Sequence, residues 1–246
     1  MMSNLYRMSG GRHCAKAKYA EATLLKKHSR RGFSACTAKI GEMKPDIDTV
    51  LFDLGKVLLD WDPRYFYRTR FGGDEAAMER FLAEAVPSSW VLETDAGKPI
   101  AQAVAERSRL YPEHAGNLAL WDAGWNSMLR GEIEGTAAIL SSLKTRGRRL
   151  FALTNFSTET WPRALQRCPS LALFEDAIVS GEHRLVKPDP RIYELAIARC
   201  RLDPARTVFV DDLQVNVAAA RESGLHALHF TGPDQLRMDL SGLSLL

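Results

Sequence analysis

From residue 49 onward, short β-branched and aliphatic runs alternate with stretches of helical periodicity, and this alternation restricts the fold more than any other feature. The runs are TVLFD (49–53), RLFALTN (149–155), DAIVS (176–180), TVFVDD (207–212) and HALHF (226–230). Strands this short and this continuously apolar are buried on both faces, which calls for a parallel sheet with helices on either side. The helical stretches carry their own boundary signals. In DPRIYELAIARCRL (189–202), Asp189 supplies an N-cap and Pro190 the first helical position. Gly147 closes GTAAILSSLKTRG, whose Ala138, Ile139, Ser142 and Leu143 are expected to share the buried face, and Gly224 closes VNVAAARESG. The pattern predicts a doubly wound, Rossmann-like α/β fold.

Residues 60–134 interrupt the alternation. No strand is legible there, whereas DEAAMERFLAEAV, PIAQAVAERSRLY and AGNLALWDAGWNSML have helical spacing. The interval is too long for a plain βα connection. It is expected to be a small helical domain standing over the carboxyl ends of the strands, where such sheets bind ligands. Its tryptophans, Trp90, Trp121 and Trp125, are expected mostly in a core. The chain thus divides into an extension (1–45), an α/β core (46–59 and 135–246) and a helical insert (60–134).

Charge separates the extension from the rest. The chain carries a formal +3, but residues 1–44 hold ten Lys/Arg against Glu21 and Glu42, which leaves residues 45–246 at −5. A mildly acidic body gives no electrostatic basis for nucleic-acid binding. The basic stretch reads as a disordered extension, with Met43 standing just before the first strand as a candidate later start; a targeting peptide and an anionic-surface binder are the alternatives. No run approaches the roughly 18–20 apolar residues of a membrane span. Cys14, Cys36, Cys168 and Cys200 show no CxxC spacing, so neither a disulfide framework nor a zinc site is expected, and a cytoplasmic location fits. Nothing in the sequence speaks to oligomeric state.

Polar residues recur where strands end: Asp53, Thr154 with Asn155, and Asp211 with Asp212; Lys187 precedes the Pro190 helix in LVKPDP. In a doubly wound sheet these ends converge on one crevice. Aspartates gathered there repel one another unless a cation binds, and hard oxygen ligands suit Mg²⁺. Lys187 would hold a neighbouring carboxylate ionised. A threonine hydroxyl followed by a backbone N–H offers two donors to an anionic oxygen, and an ionised aspartate among such groups is a nucleophile for phosphorus or carbon. Each feature alone has a plainer role as a helix cap or turn, including an Asp211–Asp212 cap for the helix around Asn216. Their order and shared placement make the specific signal.

That ordered set resembles the haloacid dehalogenase-like (HAD) hydrolase superfamily over about residues 47–232. The resemblance implies Asp53 of LFDLGKV as nucleophile, and Thr154 of FALTN contacting the transferred group beside the Asn155 amide. It implies Lys187 of VKPDP as the catalytic lysine, with Asp211 as its partner and Asn216 in support. It assigns Mg²⁺ to Asp53, the Gly55 carbonyl and Asp212 of VFVDD, makes the insert a helical cap, and implies a small-molecule substrate.

Gly55 departs from the family's phosphatases, where an aspartate at this position is the general acid and base. Gly55 keeps the metal-ligating carbonyl and lacks the carboxyl, a loss of help typically worth ~10²–10⁴-fold. Three readings follow. One is a Mg²⁺-dependent phosphatase of a small phosphorylated metabolite with a good leaving group, such as an anomeric sugar phosphate or acyl phosphate, or with an acid from elsewhere; Asp60 and Asp62 are nearest in sequence. The second is a metal-independent 2-haloacid dehalogenase, whose halide leaves unprotonated. The third is a non-catalytic small-molecule binding protein. Adjacent Asp211 and Asp212 beside an anionic substrate make sense as a metal site and favour the phosphatase. Trp61, Arg64, Trp90 and Lys98 of the insert are candidates for the substrate pocket, Arg64 as a partner for a substrate anion.

Overall fold

The computed structural model describes residues 46–246, so the expectations for the basic extension lie outside the described residues. The strands are β1 (Thr49–Phe52), β2 (Leu59–Trp61), β3 (Leu129–Glu132), β4 (Arg149–Thr154), β5 (Asp176–Val179), β6 (Thr207–Asp211) and β7 (His226–His229). Five of them form a parallel sheet in the order β5-β4-β1-β6-β7. The chain builds outward from β1 to β5 on one side, then returns to build β6 and β7 on the other. The reversal between β1 and β6 opens a crevice at the carboxyl ends of the strands.

Strand periodicity explains why both faces are covered. Val50 and Phe52 pack on one face with Leu150, Ala152, Val208 and Val210; Leu51 packs on the other with Phe151, Leu153 and Phe209. Six helices follow the insert: α7 (Glu134–Thr145), α8 (Trp161–Arg167), α9 (Ser180–His183), α10 (Pro190–Arg199), α11 (Gln214–Glu222) and α12 (Pro233–Gly242), and six precede them within it, α1 (Arg64–Arg70), α2 (Glu75–Ala85), α3 (Ser88–Asp95), α4 (Ile100–Leu110), α5 (Ala115–Leu118) and α6 (Trp121–Met128). Helices α7 and α12 serve the first face, α10 and α11 the second. Asp189 caps α10 by accepting from the Arg191 N–H at 3.0 Å, with Pro190 at the first position. Gly147 and Gly224 adopt the left-handed backbone (φ 72° and 87°) that ends α7 and α11.

Two expectations are corrected here. On α7 the buried stripe is Thr136, Ile139, Leu140 and Leu143, an i, i+3, i+4, i+7 set; Ala138 faces solvent and Ser142 is only partly buried. The insert is not strand-free: its two stems, β2 and β3, pair antiparallel. These strands are three and four residues long and carry Asp60, Arg130, Gly131 and Glu132, so no apolar alternation marked them. Between the stems the helices bury their own core, with Tyr67, Met78, Phe81, Trp90, Leu118 and Trp121, whereas Trp125 joins the core on the sheet. Among the described residues no helix is long and apolar enough to cross a membrane.

Candidate active site

Asp53 follows β1 directly, its N–H bonded to the Val210 carbonyl of β6 at 2.8 Å, so the sheet itself fixes it at the crevice. Lys187 arrives from the loop before α10. Its Nζ lies 2.8 Å from Asp53 Oδ1 and 2.7 Å from Asp211 Oδ2, and all three residues are buried. Asn155, just past β4, secures that loop: its side-chain amide donates to the Lys187 carbonyl at 3.1 Å, and its Oδ1 accepts from the Lys187 N–H at 2.8 Å. Thr154 is buried at the end of β4. Asp211 is fully engaged, accepting from the Leu213 N–H and from Asn216 Nδ2 at 2.8–3.1 Å besides Lys187. The Asn216 carbonyl in turn accepts from the Tyr193 hydroxyl at 3.0 Å. Asp211 therefore both fixes the turn that leads into α11 and holds Lys187 beside Asp53.

Three carboxylates surround this one ammonium. Oxygens of Asp53, Asp211 and Asp212 all lie within 4.8 Å of one another. Burial pushes the Asp53 carboxyl up, Lys187 pulls it back, and Asp211 and Asp212 push it further up. Asp212 is raised by burial and by Asp211. Burial works against the Lys187 charge, but Asp53 and Asp211 outweigh it and hold its pKa above the usual value. An excess of hard, anionic oxygens is the environment a Mg²⁺ ion fits. Because Asp211 is spent on Lys187 and Asn216, Asp53 and Asp212 are the carboxylates suited to hold one.

After Asp53 the chain makes a tight turn in which the Leu54 carbonyl accepts from the N–H groups of Val57, Leu58 and Leu59. The bridge from Gly55 to Leu59 uses the Leu54 carbonyl and the Lys56 N–H, leaving the Gly55 carbonyl out of it. A Cβ placed at Gly55 would meet nothing within 4 Å. Sterics therefore do not demand glycine there. Gly55 borders a cavity of about 100 Å³ whose walls include Trp61, Trp121, Trp125, Phe156, Asn155 and Asp95.

Several candidates fall elsewhere. Arg64, expected to meet a substrate anion, is partly buried and bound to Glu79 at 2.6 Å and to Asp62 at 3.3 Å, outside the cavity wall. Lys98 is held by Glu93 at 2.7 Å and by Glu106. Trp90 is buried in the insert's core and donates to the Ala103 carbonyl at 3.3 Å. Asp60 accepts from the Tyr65 hydroxyl at 2.7 Å, and Asp62 accepts from the Arg64 N–H at 2.8 Å at the start of α1; neither lines the cavity. Trp61 does line it, and its indole N–H is buried with no partner among the described residues. The residue that sequence reading passed over is Asp95. It ends α3 in an unremarkable TDAG stretch, and only the packed structure brings it to the cavity that Gly55 also borders.

The sequence pattern of the haloacid dehalogenase-like hydrolases matches residues 47–224. The chain belongs to this family. Among curated HAD relatives, a phosphorylated carbohydrates phosphatase from Thermotoga maritima is 25% identical over 202 residues, covering 74% of this chain and 84% of the relative. The first curated relatives matched are much longer than the match, which spans 6%, 54% and 46% of their lengths. A HAD family enzyme from Bacteroides thetaiotaomicron, solved in complex with magnesium and inorganic phosphate, superposes with a TM-score of 0.58 at 25% identity, over 74% of this chain and 93% of that one. A dehalogenase solved with an intermediate shares the fold, with a TM-score of 0.58 at 20% identity over 76% and 86% of the two chains.

Proposed function

We propose that this HAD hydrolase is a Mg²⁺-dependent phosphatase acting on a small phosphorylated metabolite through an aspartyl-phosphate on Asp53. The observation that carries the reading is the pairing of Asp53 with Lys187 at 2.8 Å beside a further carboxylate, Asp212, that has no structural duty comparable to that of Asp211. Lys187 favours the ionised form of Asp53 against the burial and the neighbouring carboxylates that oppose it. Asp53, Asp212 and the Gly55 carbonyl would hold Mg²⁺, which when bound offsets the charge of the phosphoryl oxygens. Thr154 and the Asn155 N–H supply the donors for those oxygens. The phosphatase relative and the magnesium–phosphate complex of the Bacteroides enzyme support the same reading.

The insert acts as a cap over the leaving group. Its aromatic walls suit a substrate that presents ring or C–H surface, and the unpartnered Trp61 N–H offers that substrate one hydrogen bond. An adjacent pair of carboxylates would repel a haloacid in the absence of a cation, which ranks the dehalogenase reading second.

Phosphate release from p-nitrophenyl phosphate with and without Mg²⁺, in the wild type and in Asp53→Asn, tests the proposal. Metal-dependent release abolished by the substitution is the expected result. Halide release from 2-chloropropionate without metal would overturn it, and silence in both assays with retained ligand binding would make the chain a binding protein.

A further inference from the structure

We infer that Asp95, delivered by the insert, is the proton donor and acceptor that position 55 lacks. The inference rests on the phosphatase reading and adds the identity of its acid–base group. Asp95 and Gly55 border the same cavity, and the space a side chain at 55 would fill is open. Asp95 thus reaches this cavity from the insert and residue 55 from the core, and the charge of Asp53 acts on the Asp95 carboxyl.

Its position is built, not incidental. The Asp95 carbonyl accepts from the Ser180 hydroxyl at 2.6 Å, and Ser180 Oγ also accepts from the Phe156 N–H at 2.9 Å, tying the end of α3 to the loop after β4 and to the start of α9. Two glycines permit this approach. A Cβ on Gly97 would stand 2.8 Å from the Gly181 carbonyl, and one on Gly181 would stand 2.9 Å from the Phe156 carbonyl. The Asp95 carboxyl itself is met by the Ser157 N–H.

The surroundings favour a neutral carboxyl. Burial is the main cause and the charge of Asp53 the second; the Ser157 N–H and Lys187 oppose them, and the group is raised to about 7. Two other charged groups around this turn, Lys98 and Glu159, are already occupied. Lys98 is bound to Glu93 and Glu106, Glu159 accepts from the Ile100 N–H at 2.8 Å, and the Arg184 stem packs at Gly97. Asp60 and Asp62, the nearer carboxylates in sequence, are engaged outside the cavity.

The chemistry then balances. A carboxylate oxygen of Asp53 bonds to phosphorus while the bond from phosphorus to the leaving oxygen breaks, its electron pair staying on that oxygen. The Asp95 proton moves to it, giving the free alcohol and an Asp95 carboxylate. Water then attacks phosphorus, giving its proton to Asp95. The bond from phosphorus to Asp53 breaks with its electron pair returning to the Asp53 carboxylate, and inorganic phosphate leaves.

A leaving-group comparison tests this assignment. Glycerol 2-phosphate needs a proton on its departing alkoxide, whereas p-nitrophenolate leaves readily without one. Asp95→Asn is expected to lose on the order of 10²–10⁴-fold in the rate of the first, alcohol-releasing step with the alkyl ester and far less in that step with the aryl ester, both read as the pre-steady-state burst, and to lose the limb near neutrality from the alkyl-ester pH profile of that burst. The aryl activity of the same preparation reports that the variant is folded. Wild-type rates with the alkyl ester, or equal losses with both esters, would overturn the assignment. Silence of the wild type toward every monoester would instead remove the phosphatase reading, and this assignment with it.

Discussion

Each polar residue at the crevice has a distinct task, and the tasks follow from what it touches. Lys187 neutralises a pair of buried carboxylates, so Lys187→Met leaves Asp53 and Asp211 uncompensated. Loss of one partner of a buried pair costs about 3–5 kcal/mol. Urea unfolding should register that loss alongside the disappearance of turnover; an unchanged midpoint would contradict the pairing. Gly55→Asp places a carboxyl into open space beside Asp53. It should restore alkyl-ester turnover to Asp95→Asn. Asp95 also makes stability depend on pH. Folded, it keeps its proton up to about pH 7, whereas unfolded it releases it near the ordinary 3.8. Its contribution is thus fully present below about pH 4 and is lost as pH rises through about 7. The stability of Asp95→Asn relative to wild type should therefore improve from about pH 5 to about pH 8, and parallel stability–pH curves would contradict the shift.

At the scale of elements, the legible features were those with a local cause. Continuous apolar runs exposed the five central strands, and Asp189-Pro190 exposed the start of α10. Asp53, Lys187 and Asp211 could be nominated because strand ends in such a sheet converge. What escaped depends on contacts between distant segments. The β2–β3 pair is short and polar; Asp95 stands where it does because α3 docks on the start of α9 at Ser180; Arg64 was spent on Glu79, a partner on the next helix that composition does not specify. The docking itself can be tested. In Gly97→Ala the added methyl meets the Gly181 carbonyl at 2.8 Å, on a backbone with φ of +90°. A destabilisation of about 1–3 kcal/mol is expected from such overpacking, together with a fall in the burst rate of alcohol release that is larger for alkyl than for aryl esters. Equal falls would show that the junction does not position Asp95.

Across the whole molecule, two cores stand side by side, one on the sheet that ends in Asp53 and one within the insert, and on the proposed reading the first would hold the nucleophile and the second would wall the leaving group. On the same reading the group of carboxylates Asp53, Asp211 and Asp212 would tie folding to metal. Mg²⁺ at about 100 times its dissociation constant should stabilise the protein by roughly 2.7 kcal/mol, and Asp212→Asn should remove that gain. Equal thermal shifts in both proteins would place the ion elsewhere.

The most direct test of the central claim is mass spectrometry of the peptide containing Asp53 after acid quench during turnover of a phosphomonoester with Mg²⁺. The account predicts one added phosphoryl group on Asp53, absent without metal and absent in Asp53→Asn. Phosphate release that continues undiminished in Asp53→Asn, with no adduct on the wild-type peptide, would contradict it.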